Sequence, residues 1–71
     1  MRSFDVFVDL APSGQWRYKA SDGNVSVWSG PYERMDTKDD AVAGARRCIE
    51  SVWRRYRFDM RVNARGNTRY L

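Results

Sequence analysis

The chain has no histidine and one cysteine, Cys48. Without histidine it lacks the side chain that most often acts as a general base near neutral pH, and the commonest metal ligand. A single cysteine allows neither an internal disulfide framework nor a cysteine-based zinc cluster. Prolines number two and glycines five, and the glycines stand singly, so no Gly-rich phosphate cradle is present. Charges interrupt every apolar run. Nothing approaches the ~20 apolar residues of a membrane helix, and no signal-type apolar segment is visible. Paired catalytic carboxylates and an activated nucleophile are also missing. These absences lead us to expect a cytoplasmic non-enzyme with no metal, cofactor, small-molecule substrate or membrane partner.

What remains is 71 residues, enough for one domain near the lower end of what folds alone. A core this small rarely supplies more than about 3–5 kcal/mol net, so oligomerisation is an expected helper. An apolar fraction of 42% with ten aromatics argues against disorder. The charge is unevenly placed. Residues 1–45 carry five Arg or Lys against seven Asp or Glu, whereas residues 46–71 carry eight Arg against Glu50 and Asp59. Eleven of the thirteen basic residues are arginine. Arginine forks onto phosphate and carboxylate and stacks on rings, which favours a contact surface. A GC-rich genome would raise arginine everywhere and is the plainer explanation.

Period-two alternation marks residues 3–10 as a strand with Phe4, Val6, Val8 and Leu10 on one face. Residues 15–20 alternate again, placing Trp16, Tyr18 and Ala20 against Gln15, Arg17 and Lys19. Asp22-Gly23 is a hairpin signal, and residues 25–29 form a third short strand before Gly30-Pro31. Asp36-Thr37 followed by Asp39-Asp40 is a helix start, with a polar cap and carboxylates at the positive end of the dipole. Ala41, Val42, Ala45, Cys48, Ile49, Val52, Trp53 and Tyr56 then recur at helical spacing. The helix is predicted over 38–55, packed on the sheet through Trp16, Tyr18, Val25 and Val27. Arg46, Arg47, Glu50 and Arg54 lie on its other side, with i,i+4 pairs through Glu50. Residues 56–63 alternate as a fourth strand, residues 63–67 turn, and residues 68–71 return as a short fifth. The fold class is therefore α+β: a three-stranded antiparallel sheet, one long amphipathic helix packed on it, then a C-terminal strand or hairpin.

The end of the chain echoes its beginning. Phe4-Asp5-Val6-Phe7-Val8-Asp9 with Gly14-Gln15-Trp16-Arg17-Tyr18 lines up with Phe58-Asp59-Met60-Arg61-Val62-Asn63 and Gly66-Asn67-Thr68-Arg69-Tyr70. Residues 57–71 thus read either as a half repeat or as a chance likeness between alternating hairpins. Residues 14–25, Ser29-Gly30-Pro31-Tyr32, Lys38, Ala41, Gly44 and Ile49-Glu50-Ser51-Val52 resemble the YegP-like proteins over about residues 4–52. That resemblance implies strand-strand-strand-helix units occurring in tandem or as dimers that exchange elements, and it implies no activity. A weaker resemblance, through Val27-Trp28-Ser29-Gly30-Pro31-Tyr32, Asp36-Thr37 and Ala41 to Ala45, is to the plant ethylene-response-factor DNA-binding domain. There it rests on common residue types and counts as analogy.

The sheet's outer face is the first candidate surface: Phe7, Arg17, Lys19, Ser26 and Trp28, joined by Arg57 and Arg61 if the fourth strand pairs in the same sheet. Cations beside exposed rings suit nucleic acid. The same residues suit a dimer seam or another protein, and Arg17 and Lys19 stacked on Trp28 would be an ordinary cation–π contact. Arg54, Arg55 and Arg57 with Arg61, Arg65 and Arg69 form the densest cation cluster, either an electrostatic arm or the solvated side of a strand. Asp36, Asp39 and Asp40 are explained by capping, and Cys48 by burial in the helix stripe. The chain reads first as a nucleic-acid-associated binding module and a homodimer. The alternative is a protein–protein interaction module, such as a mobile-element or phage-encoded inhibitor of a larger, nucleic-acid-binding complex.

Overall fold

The computed structural model describes residues 2–30, 33–53 and 57–65 of the chain. Four strands and one helix follow in the order β1 (Arg2–Leu10), β2 (Trp16–Ser21), β3 (Ser26–Trp28), α1 (Lys38–Val52) and β4 (Phe58–Arg65). The sheet order is β3-β2-β1-β4. β2 runs antiparallel to both β1 and β3, while β4 runs parallel to β1. A parallel neighbour needs a crossover, and α1 supplies it. The chain leaves β3 at one edge, crosses over β2 and β1 as a helix, and descends as β4 at the other edge.

The turns are built from the residues that signalled them. Gly14 and Gly23 hold φ values of 88° and 98°, which only glycine adopts without strain. Between β2 and β3 the Asp22 carboxylate accepts from the amides of Asn24 and Val25 at 2.9 and 2.8 Å, fixing the hairpin. At the helix start, Thr37 Oγ1 accepts from the Asp40 amide at 3.1 Å, and Asp40 Oδ2 accepts from the Thr37 amide at 3.2 Å. This is a reciprocal capping box with Asp in the third position. Asp36 is engaged otherwise, accepting from the Gln15 side-chain amide at 2.9 Å.

One face of the sheet and the inner stripe of α1 enclose the core: Phe4, Val6, Val8, Tyr18, Ala20, Met35, Ala41, Ala45 and Ile49. Trp16, Val27, Cys48, Trp53, Phe58 and Met60 pack around it, half-buried. The helix ends at Val52, short of the predicted residue 55. Trp53 has left helical geometry at φ −114° and ψ 58°, and its ring lies 6.3 Å from that of Phe4. The ring thus packs beside β1 where the helix ends.

Three further expectations need correcting. Val52 is 49% exposed and lies outside the buried stripe, which ends at Ile49. Val25 lies in the hairpin before β3 and is outside the core. Residues 63–65 do not turn but extend β4, because the parallel register with β1 continues to Asp9↔Arg65. The predicted return strand at 68–71 falls outside the described residues. The two echoing segments lie side by side as β1 and β4, yet with Phe4 opposite Met60 instead of Phe58. Among the described residues no helix is long and apolar enough to cross a membrane.

Candidate functional site

Strand register decides which side chains meet on the outer face. Trp28, Lys19, Phe7 and Asn63 form one row across all four strands. Beside it Ser26, Ser21, Asp5 and Arg61 form another. In a third row Arg17 stands opposite Asp9. β4 does join the sheet, so the condition placed on Arg61 is met. Arg57 precedes the strand and is exposed, outside the rows. Arg65 contributes its backbone to β4, and Arg54 lies outside the described residues.

Two arginines of this face with described side chains are matched to carboxylates, while Arg65 shares the Asp9 register position through its backbone. Arg17 Nε and Nη2 donate to the two Asp9 oxygens at 2.7 and 3.2 Å, a bidentate fork. Asp9 is fully buried and the Arg17 side chain is 30% exposed. Hydrogen bonding to that carboxylate raises the Arg17 guanidinium above its ordinary range. Arg61 pairs with Asp5 at 3.0 Å, with both groups well exposed. Asp5 and Asp9 were legible in the sequence only as outward charges, because alternation within β1 does not say which cation lies across from them. Lys19 differs: its ammonium lies 5.8 Å from the centre of the Trp28 ring. Trp28 itself is 61% exposed, the most exposed large apolar side chain among the described residues.

A second cluster, unforeseen from the sequence, gathers where α1 ends and β4 begins. The Arg2 guanidinium lies 4.5 Å over Trp53 and reaches Asp22 at 3.1 Å. Arg46 lies 5.8 Å over Phe58, and Phe58 meets Phe4 edge-on at 6.0 Å. Asp22 is held below its ordinary carboxylate value, chiefly by the Val25 and Asn24 amides and then by Arg2. Arg2 and Arg46 stand 44 positions apart in sequence. Only the parallel placement of β4 beside β1 brings both to one end.

A groove of about 230 Å³ opens between the β1–β2 loop and the segment after β3. Its polar side chains are already engaged. Gln15 bridges Asp36 and the Met35 amide, and Arg17 is held by Asp9. Glu33 accepts from the Tyr18 hydroxyl at 3.3 Å and from the Gly30 amide. Burial above all, then Cys48 and Glu33, pushes the Tyr18 hydroxyl well above its ordinary value. The groove therefore offers no converging donors for a ligand. Among the described residues there is no cluster of three or more histidine, cysteine, aspartate or glutamate side chains that could hold a metal. Compared with known proteins, the chain matches no family model, no curated protein and no solved structure.

Proposed function

We propose that the chain is a non-catalytic binding module whose contact surface is the outer face of the sheet around Trp28, and that its partner is a protein. One observation carries this reading. The two arginines whose side chains are described on that face each pair with a cross-strand carboxylate, Arg17 with Asp9 and Arg61 with Asp5. What the face offers is an exposed indole with Lys19 beside it and Phe7 in the same row. A phosphate backbone demands unpaired cations, whereas interface hot spots favour Trp flanked by charge. The YegP-like resemblance is compatible with this proposal and adds no activity to it.

A second reading, nucleic-acid association, is favoured by the other cluster. Arg46 over Phe58, with exposed Arg57 next to Phe58 in the chain, combines cations and a ring. One pair of measurements separates the two. Wild-type protein and the Trp28→Ser variant are used as baits in nuclease-treated extract of the source cells, and both are titrated with mixed-sequence duplex and single-stranded oligonucleotides. The protein reading expects a partner whose affinity falls about thirtyfold in Trp28→Ser, the usual scale of a Trp hot spot. It is refuted if the wild type captures nothing while binding oligonucleotides with log K linear in log salt, unchanged in Trp28→Ser.

A further inference from the structure

The two edges of the sheet are unlike. β3 is three residues long and runs into Gly30 and Pro31, a blunted edge that discourages further pairing. β4 is eight residues long, contains no proline, and has no neighbour on its far side among the described residues. Exposed edges are normally blunted by shortness, proline, bulges or charged side chains. β4 has only charged side chains for this, and Asp59 and Arg61, at alternate positions on the outer face, are of opposite sign and so can match a second copy. Its other face is apolar: Phe58, Met60 and Val62. The helix lies mainly over β2 and β1 and covers β4 thinly. Val62, whose register partner Val6 is fully buried, is 40% exposed.

From this we infer that the β4 edge is the seam of a homodimer in which two copies pair β4 antiparallel about a two-fold axis at Met60. A two-fold seam pairs residues symmetrically about its centre, so that register sets Asp59 opposite the partner's Arg61, and the reverse, giving two ion pairs. On the apolar face it sets Phe58 against Val62 and Met60 against its own copy. Centring on Arg61 would oppose the two Arg61 side chains. Centring on Val62 would put Asp59 against Arg65 but Arg61 against Asn63, leaving the Arg61 charge unmatched. The Met60 register is the one that matches both charges of the Asp59/Arg61 pair and buries Val62. The result is one continuous eight-stranded sheet. Since β3 lies at the opposite edge from β4, the two Trp28 faces stand at its far ends, free for partners.

Charge reversal tests the seam and its register together. Arg61→Asp places carboxylates opposite carboxylates in its own dimer, and Asp59→Arg places guanidinium groups opposite each other. Each should weaken self-association roughly ten- to thirtyfold, from two cross-strand pairs turned from attraction to repulsion. Mixing the two variants restores both ion pairs, so the equimolar mixture should form a heterodimer at concentrations where each variant alone is mostly monomeric. Sedimentation velocity and native mass spectrometry read this directly against a monomer mass of 8.3 kDa. Circular dichroism checks that each variant is folded. Val62→Lys, at a site already open to solvent, gives a second monomerising change should Arg61→Asp disturb the contact with Asp5. A wild type that stays monomeric, its edge occupied within the chain, overturns the proposal. So does a dimer indifferent to all three changes, which places the seam elsewhere, or a mixture that fails to recover.

Discussion

Gly44 sits in the middle of α1, where replacing glycine by alanine ordinarily stabilises a helix by about 1 kcal/mol. Here the sign should reverse. A methyl group at this position would lie 3.1 Å from Tyr18 Cε2 and 3.2 Å from Met35 Sδ. Both neighbours are buried, Tyr18 at 2% exposure and Met35 at 3%. Methionine can shift its thioether at little cost. The Tyr18 ring cannot, since its hydroxyl donates to Glu33 and its backbone is locked to Ser29. Overpacking a dense core costs roughly 1–3 kcal/mol. Set against the gain in helix propensity, this leaves Gly44→Ala less stable by about 1 kcal/mol, or roughly 4–8 °C in Tm for a chain this size. Urea unfolding followed by tryptophan fluorescence measures it. Ala43→Gly, one residue away on the exposed face, calibrates the propensity term and should itself lose about 1 kcal/mol. If Gly44→Ala unfolds at higher urea than wild type, the helix does not press on Tyr18 as closely as these distances say.

Asp9→Ala should cost about 2 kcal/mol, because it strands the Arg17 guanidinium beside a buried site, although partial exposure relieves some of the penalty. Asp5→Ala, which breaks the well-exposed pair with Arg61, should cost under about 1 kcal/mol, and the difference between the two urea midpoints is the check. Tyr18 holds its proton more tightly when folded, so its contribution is complete below pH 10, the ordinary tyrosine value, and is lost as pH climbs toward the raised folded value. Tyr18→Phe should therefore flatten the alkaline decline in urea midpoint, and an identical decline in both proteins would refute the assignment.

Local periodicity was enough to read most of the elements. Alternation gave β1 and β2 within a residue of their ends, Asp22-Gly23 gave the hairpin, and Asp36-Thr37 with Asp39-Asp40 gave the helix start. The apolar stripe gave α1 up to the point where Trp53 turns to Phe4, a contact with a residue 49 positions earlier. Met35 was illegible as core, since it stands in a loop without periodic neighbours; its amide donates to the Gln15 side chain and its carbonyl accepts from the Trp16 amide. Gly44 was legible as a helical residue but not as the place where α1 approaches Tyr18.

The candidate surface was harder to read for a different reason. Alternation sets Arg17, Lys19, Asp5, Asp9 and Arg61 on the outer face, and the register keeps them in rows there, although Asp9 is fully buried in its pair with Arg17. It does not say whether they add up to a cationic field or cancel. That depends on register, which is set between strands by turn length and by the crossover helix. A two-residue slip of β4 along β1 keeps every side chain on its own face, yet sets Arg61 against Ser3 or Phe7 in place of Asp5. Arg61 would then be available to a phosphate. The partner class this face favours therefore follows less from its composition than from the path of α1, which delivers β4 to β1 with Arg61 beside Asp5.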